Sequence, residues 1–181
     1  MRKSLVFCLV AMCSVVVLSQ STWAKWDPNR KQKQKDMVQE TITRFKQADS
    51  TIQAFFYKAY GYVVFPSIGK GGFIVGGGRG HGHVYKKGGF IGYATMTQVT
   101  VGAQVGGQSY SEIIFFKDKA ALDHFKEGNL QFSAQASAVA ATEGASKDTS
   151  YDNGVAVFTM PRGGLMAEAS IGGQNFKFTP K

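Results

Sequence analysis

Between Tyr60 and Tyr85 the chain places glycine at positions 61, 69, 71, 72, 76, 77, 78, 80 and 82. That density excludes a helix, where each glycine costs about 1 kcal/mol relative to alanine. The stretch opens on Tyr62-Val63-Val64-Phe65, β-branched and aromatic residues that suit a pleated, half-buried surface. Pro66 has no N–H to give a ladder and is expected to stop this first run. The glycines beyond it permit bulges and close approach of one backbone to another. Two or three glycine-bent strands at the centre of a curved sheet are therefore expected.

The flanks read more conventionally. From Lys31 to Ala48 the apolar positions Val38, Ile42, Phe45 and Ala48 step at helical spacing. Asp49-Ser50-Thr51-Ile52-Gln53 restarts a helix with capping-box spacing between Ser50 and Gln53, and Ile52, Phe55, Phe56 and Ala59 form its apolar face. Both helices are expected to cover one side of the sheet. Lys86-Lys87-Gly88-Gly89 reads as a hairpin turn. Strands are expected over 90–97, 98–106 and 109–116, then a short helix from Asp118 to Lys126 ended by Gly128-Asn129. Alanines alternate with Gln135, Ser137 and Val139 through 131–141, which predicts a strand. Residues 142–153 are polar and irregular, an expected mobile loop. A last hairpin is expected between 154–160 and 165–171 through Pro161-Arg162-Gly163-Gly164, with a short strand over 176–178. Ala103–Tyr110 parallels Ala169–Phe176, which suggests equivalent corners of one sheet.

Residues 1–24 read as a signal peptide: Arg2 and Lys3, an apolar run from Leu5 to Leu18, and Thr22 and Ala24 at −3 and −1 of a cleavage site. The alternatives are an uncleaved anchor or a lipoprotein modified at Cys13. Export to a periplasmic or envelope location is expected. Cys8 and Cys13 are the two cysteines, so the processed chain would have no disulfide, zinc thiolate or Cys nucleophile. The expected organisation is 1–24 signal, 25–49 basic arm and helix, and 50–181 a single domain. The formal charge of +9 falls to +7 without Arg2 and Lys3 and favours anionic partners. Export and the lack of a recognisable motif argue against nucleic acid.

Catalytic and cofactor chemistry is poorly represented. Gly69-Lys70-Gly71-Gly72 lacks the phosphate-loop order, and strand rather than helix is expected to follow it. His81-Gly82-His83 puts two imidazoles on one strand face, but no third ligand stands at zinc spacing. No nucleophile–base set or Gly-x-Ser-x-Gly elbow is present. A non-enzyme without metal or cofactor is expected, with a hydrolase using His81 or His83 as a remote alternative. What remains is anion binding by Arg30, Lys31, Lys33, Lys35, Lys58, Lys70, Arg79, Lys86, Lys87 and Arg162, with Trp26 as a membrane-insertion candidate.

Phe65-Pro66-Ser67-Ile68-Gly69-Lys70-Gly71-Gly72-Phe73 followed by Gly76-Gly77-Gly78-Arg79-Gly80-His81-Gly82 resembles the opening signature of the SYLF domain. The likeness continues through Gln104–Tyr110 and Gly163–Gln174 and covers about residues 50–179. The family's eukaryotic members include phosphoinositide-binding proteins and yeast endocytic proteins that bind and bundle actin. The resemblance implies a lipid-binding module, here docking on anionic phospholipid membrane. A protein-interaction or structural role with an envelope partner is the alternative. Phosphoinositides are not general bacterial envelope lipids, so the lipid's identity does not transfer. The fold expected is α+β: a strongly bent, glycine-rich antiparallel sheet or partial barrel with two N-terminal helices and one short mid-chain helix.

Overall fold

A computed structural model describes residues 29–72, 75–101, 108–132, 137–162 and 169–181. It is an α+β fold of three helices, α1 (Arg30–Ala48), α2 (Gln53–Lys58) and α3 (Lys119–Lys126). The strands are β1 (Gly61–Gly72), β2 (Val75–Lys86), β3 (Gly89–Val101), β4 (Gln108–Phe116), β5 (Ser137–Ala140), β6 (Val155–Pro161), β7 (Ala169–Ser170) and β8 (Gln174–Pro180). Their order is β7-β5-β6-β4-β1-β2-β3-β8. Pairing is antiparallel except between β5 and β6. The sheet is thus mixed, and it is open rather than closed into a barrel.

The sheet curls sharply. On a flat sheet β4 and β3 would stand about 14 Å apart, three strand spacings of about 4.8 Å. Yet the Tyr110 hydroxyl of β4 donates to Gln98 Oε1 of β3 at 3.2 Å, and Gln174 Nε2 of β8 donates to Glu112 Oε2 of β4 at 2.9 Å. Side chains of parallel stance cannot meet across that gap unless the sheet folds over. Within the curl lie Val63, Phe65, Val84, Met96, Ile114, Phe116 and Phe176, closed at one end by Leu122 and Phe125 of α3. Gly80 and Gly82 make the closure possible. A Cβ on Gly82 would stand 2.6 Å from the Val64 carbonyl oxygen, and one on Gly80 2.6 Å from the Ile68 side chain.

The outer face is covered as the helical spacing predicts. Val38, Ile42 and Phe45 of α1, with Ile52 and Phe55, pack on Val64, Tyr85, Ile113, Phe115 and Phe158. Because β4 is covered on both faces, Ser111–Phe116 is buried throughout. The Asp118 side chain accepts from the Ala121 N–H at 3.0 Å and starts α3, the usual role of an N-cap aspartate.

Four expectations change. Pro66 does not stop the strand: β1 runs through it, because the register on both sides skips around Pro66 as a bulge. The proline's missing N–H is then never asked to pair, and its carbonyl accepts from Ser111 Oγ and Arg162 Nη1, each at 2.7 Å. The separate strands over 90–97 and 98–106 are one strand, since β2 pairs with β3 from Gly89 to Val101; 102–107 lies outside the described residues. The last hairpin differs where it is described: β6 has β4 and β5 as its neighbours, and Ala169–Ser170 pairs with β5, while 163–168 lies outside the described residues. Between 131 and 141 the described strand is Ser137–Ala140, with 133–136 outside the description. The corner suggested at 169–176 is a turn at Gly172-Gly173 between β7 and β8, whereas most of its counterpart, 103–107, is not described.

Candidate functional site

At one end of the sheet, the C-terminus of α2, the start of β1 and the β2–β3 turn come together. Helix α2 stops at Lys58 because Ala59 adopts an extended backbone, φ −64° and ψ 137°. The Tyr60 N–H then donates to the Phe116 carbonyl at 2.9 Å, while its own carbonyl accepts from the Lys87 N–H at 3.0 Å. The turn between β2 and β3 places both Lys87 (φ 48°) and Gly88 (φ 77°) in the left-handed region, as a two-residue hairpin with strand-matched twist requires. The hairpin turn expected at 86–89 is therefore present.

This local geometry gathers cations around one ring. Lys86 Nζ lies 5.5 Å and Lys87 Nζ 5.6 Å from the Tyr60 ring centroid, within cation–π range. A cleft of about 500 Å³ beside them is lined by Phe56, Tyr57, Lys58, Ala59, Tyr60, Lys87, Gly88 and Lys117. None of those residues is acidic. The nearby carboxylates are committed elsewhere: Asp118 caps α3, and Asp123 pairs with Lys119 and Lys126. Lys58, Lys86, Lys87 and Lys117 are exposed and have no carboxylate partner among the described residues. Tyr57, 94% exposed, projects beside them, an aromatic ring with a polar tip of the kind that sits at a headgroup boundary.

The other basic residues divide between places. Arg30, Lys31, Lys33 and Lys35 are exposed on the first turns of α1, and no acidic residue stands in the first turn. Cations at a helix N-terminus oppose the dipole, so this end carries a concentrated positive potential. Arg79 on β2 adds to it. His81, whose Nδ1 lies 3.2 Å from Thr95 Oγ1, is held below the usual imidazole range by burial first, then by Arg79 and Arg30. Lys70 lies in β1 opposite Gly78 and Gln108, at the end of the strand away from Tyr60. Arg162 is half-buried and spends one donor on the Pro66 carbonyl. Trp26 lies outside the described residues.

His83 is unlike His81. Its ring is buried against Phe90 and Tyr93, at 5.0 and 5.2 Å between centroids, and burial lowers its imidazole's affinity for a proton. Among the described residues no three His, Cys, Asp or Glu side chains group to hold a metal. No described helix is long and apolar enough to cross a membrane.

Sequence reasoning missed Lys117, Tyr57 and Tyr60. Tyr57 was detectable, since it falls off the stripe of Ile52, Phe55, Phe56 and Ala59 while remaining aromatic and adjacent to Lys58. Lys117 carries no local signal, because only the return of β4 beside β1 brings it to the cleft.

Comparison with known proteins places these observations. Residues 97–180 match the family model Ysc84, described as "Las17-binding protein actin regulator". Over 141 residues, 77% of the chain, the sequence is 30% identical to beta cell expansion factor A of Aeromonas veronii. The chain spans about half that relative's length, 54%. Over residues 97–180 the chain is thus similar to the Ysc84, or SYLF, family.

Proposed function

We propose that this protein is an exported, non-catalytic lipid-binding module that docks on anionic phospholipid headgroups through Lys58, Lys86, Lys87 and Lys117. The observation that carries the reading is the acid-free cleft around Tyr60, lined by Lys58, Lys87, Lys117 and the 94% exposed Tyr57, with Lys86 against the Tyr60 ring. Near an anionic bilayer each lysine contributes about 1 kcal/mol, falling off within a Debye length. Tyr57 adds an amphipathic ring at headgroup depth. The basic start of α1, with Arg79, supplies a second positive region and long-range attraction.

Co-sedimentation with neutral and anionic vesicles tests this. The protein is expected to pellet with anionic vesicles at low salt, with little binding to neutral vesicles or in high salt. Replacing Lys58, Lys86, Lys87 and Lys117 together by Gln is expected to weaken anionic-vesicle binding about a hundredfold, allowing for solvent screening. Replacing Arg30, Lys31, Lys33 and Lys35 by Gln should weaken it less. The reverse ranking would move the docking site to the start of α1, and absence of vesicle binding would overturn the lipid reading. In that last case the second reading takes over: a protein-interaction module, favoured by the matched family's description as an actin regulator. Salt-insensitive capture of an envelope protein would support it.

A further inference from the structure

A second cleft opens beside the first. One wall is a face of the 3₁₀ turn and α2, where Thr51, Ala54, Phe55 and Lys58 recur at i, i+3, i+4 and i+7, with Phe55 buried at its base and Lys58 exposed. The opposite wall is the 142–151 segment, contributing Ser146, Lys147, Thr149 and Tyr151. Its volume, about 330 Å³, falls in the range of small-ligand sites.

The two walls are fixed rather than adventitious neighbours. Asp49 accepts from the Gly144 and Ser146 N–H groups, and Thr51 Oγ1 lies 2.6 Å from Ser146 Oγ. The interior is apolar, with the Phe55 and Tyr151 rings 5.3 Å apart. Lys58 and Lys147 stand on opposite walls, both exposed and without a carboxylate partner among the described residues. The Tyr151 hydroxyl is shielded from water and has no hydrogen-bond partner among the described residues. Burial raises its phenol's affinity for the proton, so it remains an O–H donor.

We infer that this cleft binds a single-chain anionic amphiphile, a fatty acid or alkyl phosphate, with its chain on Phe55 and Tyr151 and its head between Lys58 and Lys147. An apolar floor with two opposed ammonium groups complements that chemistry at both ends. The inference rests on the lipid-binding reading and names an individual ligand that the membrane-docking lysines do not specify.

The test is titration of the ¹⁵N-labelled protein with octyl phosphate, octanoate, inorganic phosphate and octyl glucoside, each kept below its micelle concentration. Saturable shifts of the Thr51, Ser146 and Thr149 amides are expected with the two anionic amphiphiles. Inorganic phosphate and octyl glucoside should bind at least tenfold more weakly. Ala54→Leu places a helix-compatible side chain in the cleft and is expected to abolish the saturable shifts. Lys147→Gln should weaken octyl phosphate binding about three- to tenfold. Both variants should leave sedimentation with anionic vesicles unchanged. Absence of saturable shifts, equal binding of octyl glucoside, or binding untouched by both variants would overturn the inference. If vesicles bind while octyl phosphate does not, the cleft assignment alone falls; if neither binds, the lipid reading falls with it.

Discussion

Gly82→Ala is expected to destabilise the protein by about 3 kcal/mol, lowering Tm by about 6–12 °C for a chain of this size. The added Cβ would meet the Val64 carbonyl oxygen at 2.6 Å and the Phe65 ring at 2.8 Å. Val64 sits in the adjacent strand, opposite His83, so the obstruction is largely backbone and cannot swing aside. Relieving it requires β1 and β2 to separate or the curl to open, which would loosen the Phe65, Val84 and Phe176 core. Gly77→Ala is the matched control in the same strand. There the nearest atom to a new Cβ is the Gln98 carbonyl oxygen at 3.9 Å, an ordinary contact. That change should lie within about 0.5 kcal/mol of wild type. Thermal unfolding followed by circular dichroism measures both. Equal losses at the two positions would mean that glycine's backbone freedom, and not the tight turn of the sheet, is what matters at position 82.

Asp49→Asn should cost a similar amount, about 2–3 kcal/mol at pH 7. Asp49 is fully buried at the junction of α1 and the following 3₁₀ turn. Its Oδ1 accepts from the Thr51 N–H, the Thr51 hydroxyl and the Gly144 N–H, and its Oδ2 from the Ser146 N–H at 2.7 Å. An asparagine keeping the first set would turn its NH₂ toward the Ser146 N–H, donor against donor. Burial alone would raise the Asp49 carboxyl, but the hydrogen bonds from Thr51 and Ser146 outweigh it and leave it below its ordinary value of 3.8.

The pH dependence follows from that direction. A carboxylate whose folded value is depressed binds fewer protons in the native state, so its stabilisation is fully present above about pH 4. It is lost as pH falls through the folded value, where the protonated aspartate comes to resemble asparagine. Urea denaturation at pH 7 and near pH 3 should therefore show the gap between wild type and Asp49→Asn narrowing in acid. A gap that widened would mean that the charge is not what holds the 142–151 segment.

That segment shows where local reading stops. Residues 142–153 look polar and irregular, and irregular they are, yet Glu143, Gly144 and Ser146 are tied to Ser50 and Asp49 by contacts spanning more than 90 residues of chain. Polar composition describes what a segment lacks for a regular element; it does not reveal which buried carboxylate will claim its N–H groups. Pro66 makes the same point within a strand. A proline argues against continuous pairing, but a bulge shared with both neighbouring strands lets β1 pass through it.

By itself the sequence determined the features that depend on near neighbours. Helical spacing of Val38, Ile42 and Phe45 set the buried stripe of α1, Lys87-Gly88 set the β2–β3 turn, and the glycine run required extended, closely approaching strands. The surplus of basic residues was equally plain in the composition. The tertiary structure alone decided which of those bases act together. Lys58, Lys86, Lys87 and Lys117 meet because β4 returns beside β1 and the β2–β3 turn closes onto Tyr60, while Arg162 is drawn to the Pro66 carbonyl. Periodicity records which face a side chain takes on its own element. Convergence of distant elements depends on strand order and the curl of the sheet, which local periodicity does not encode.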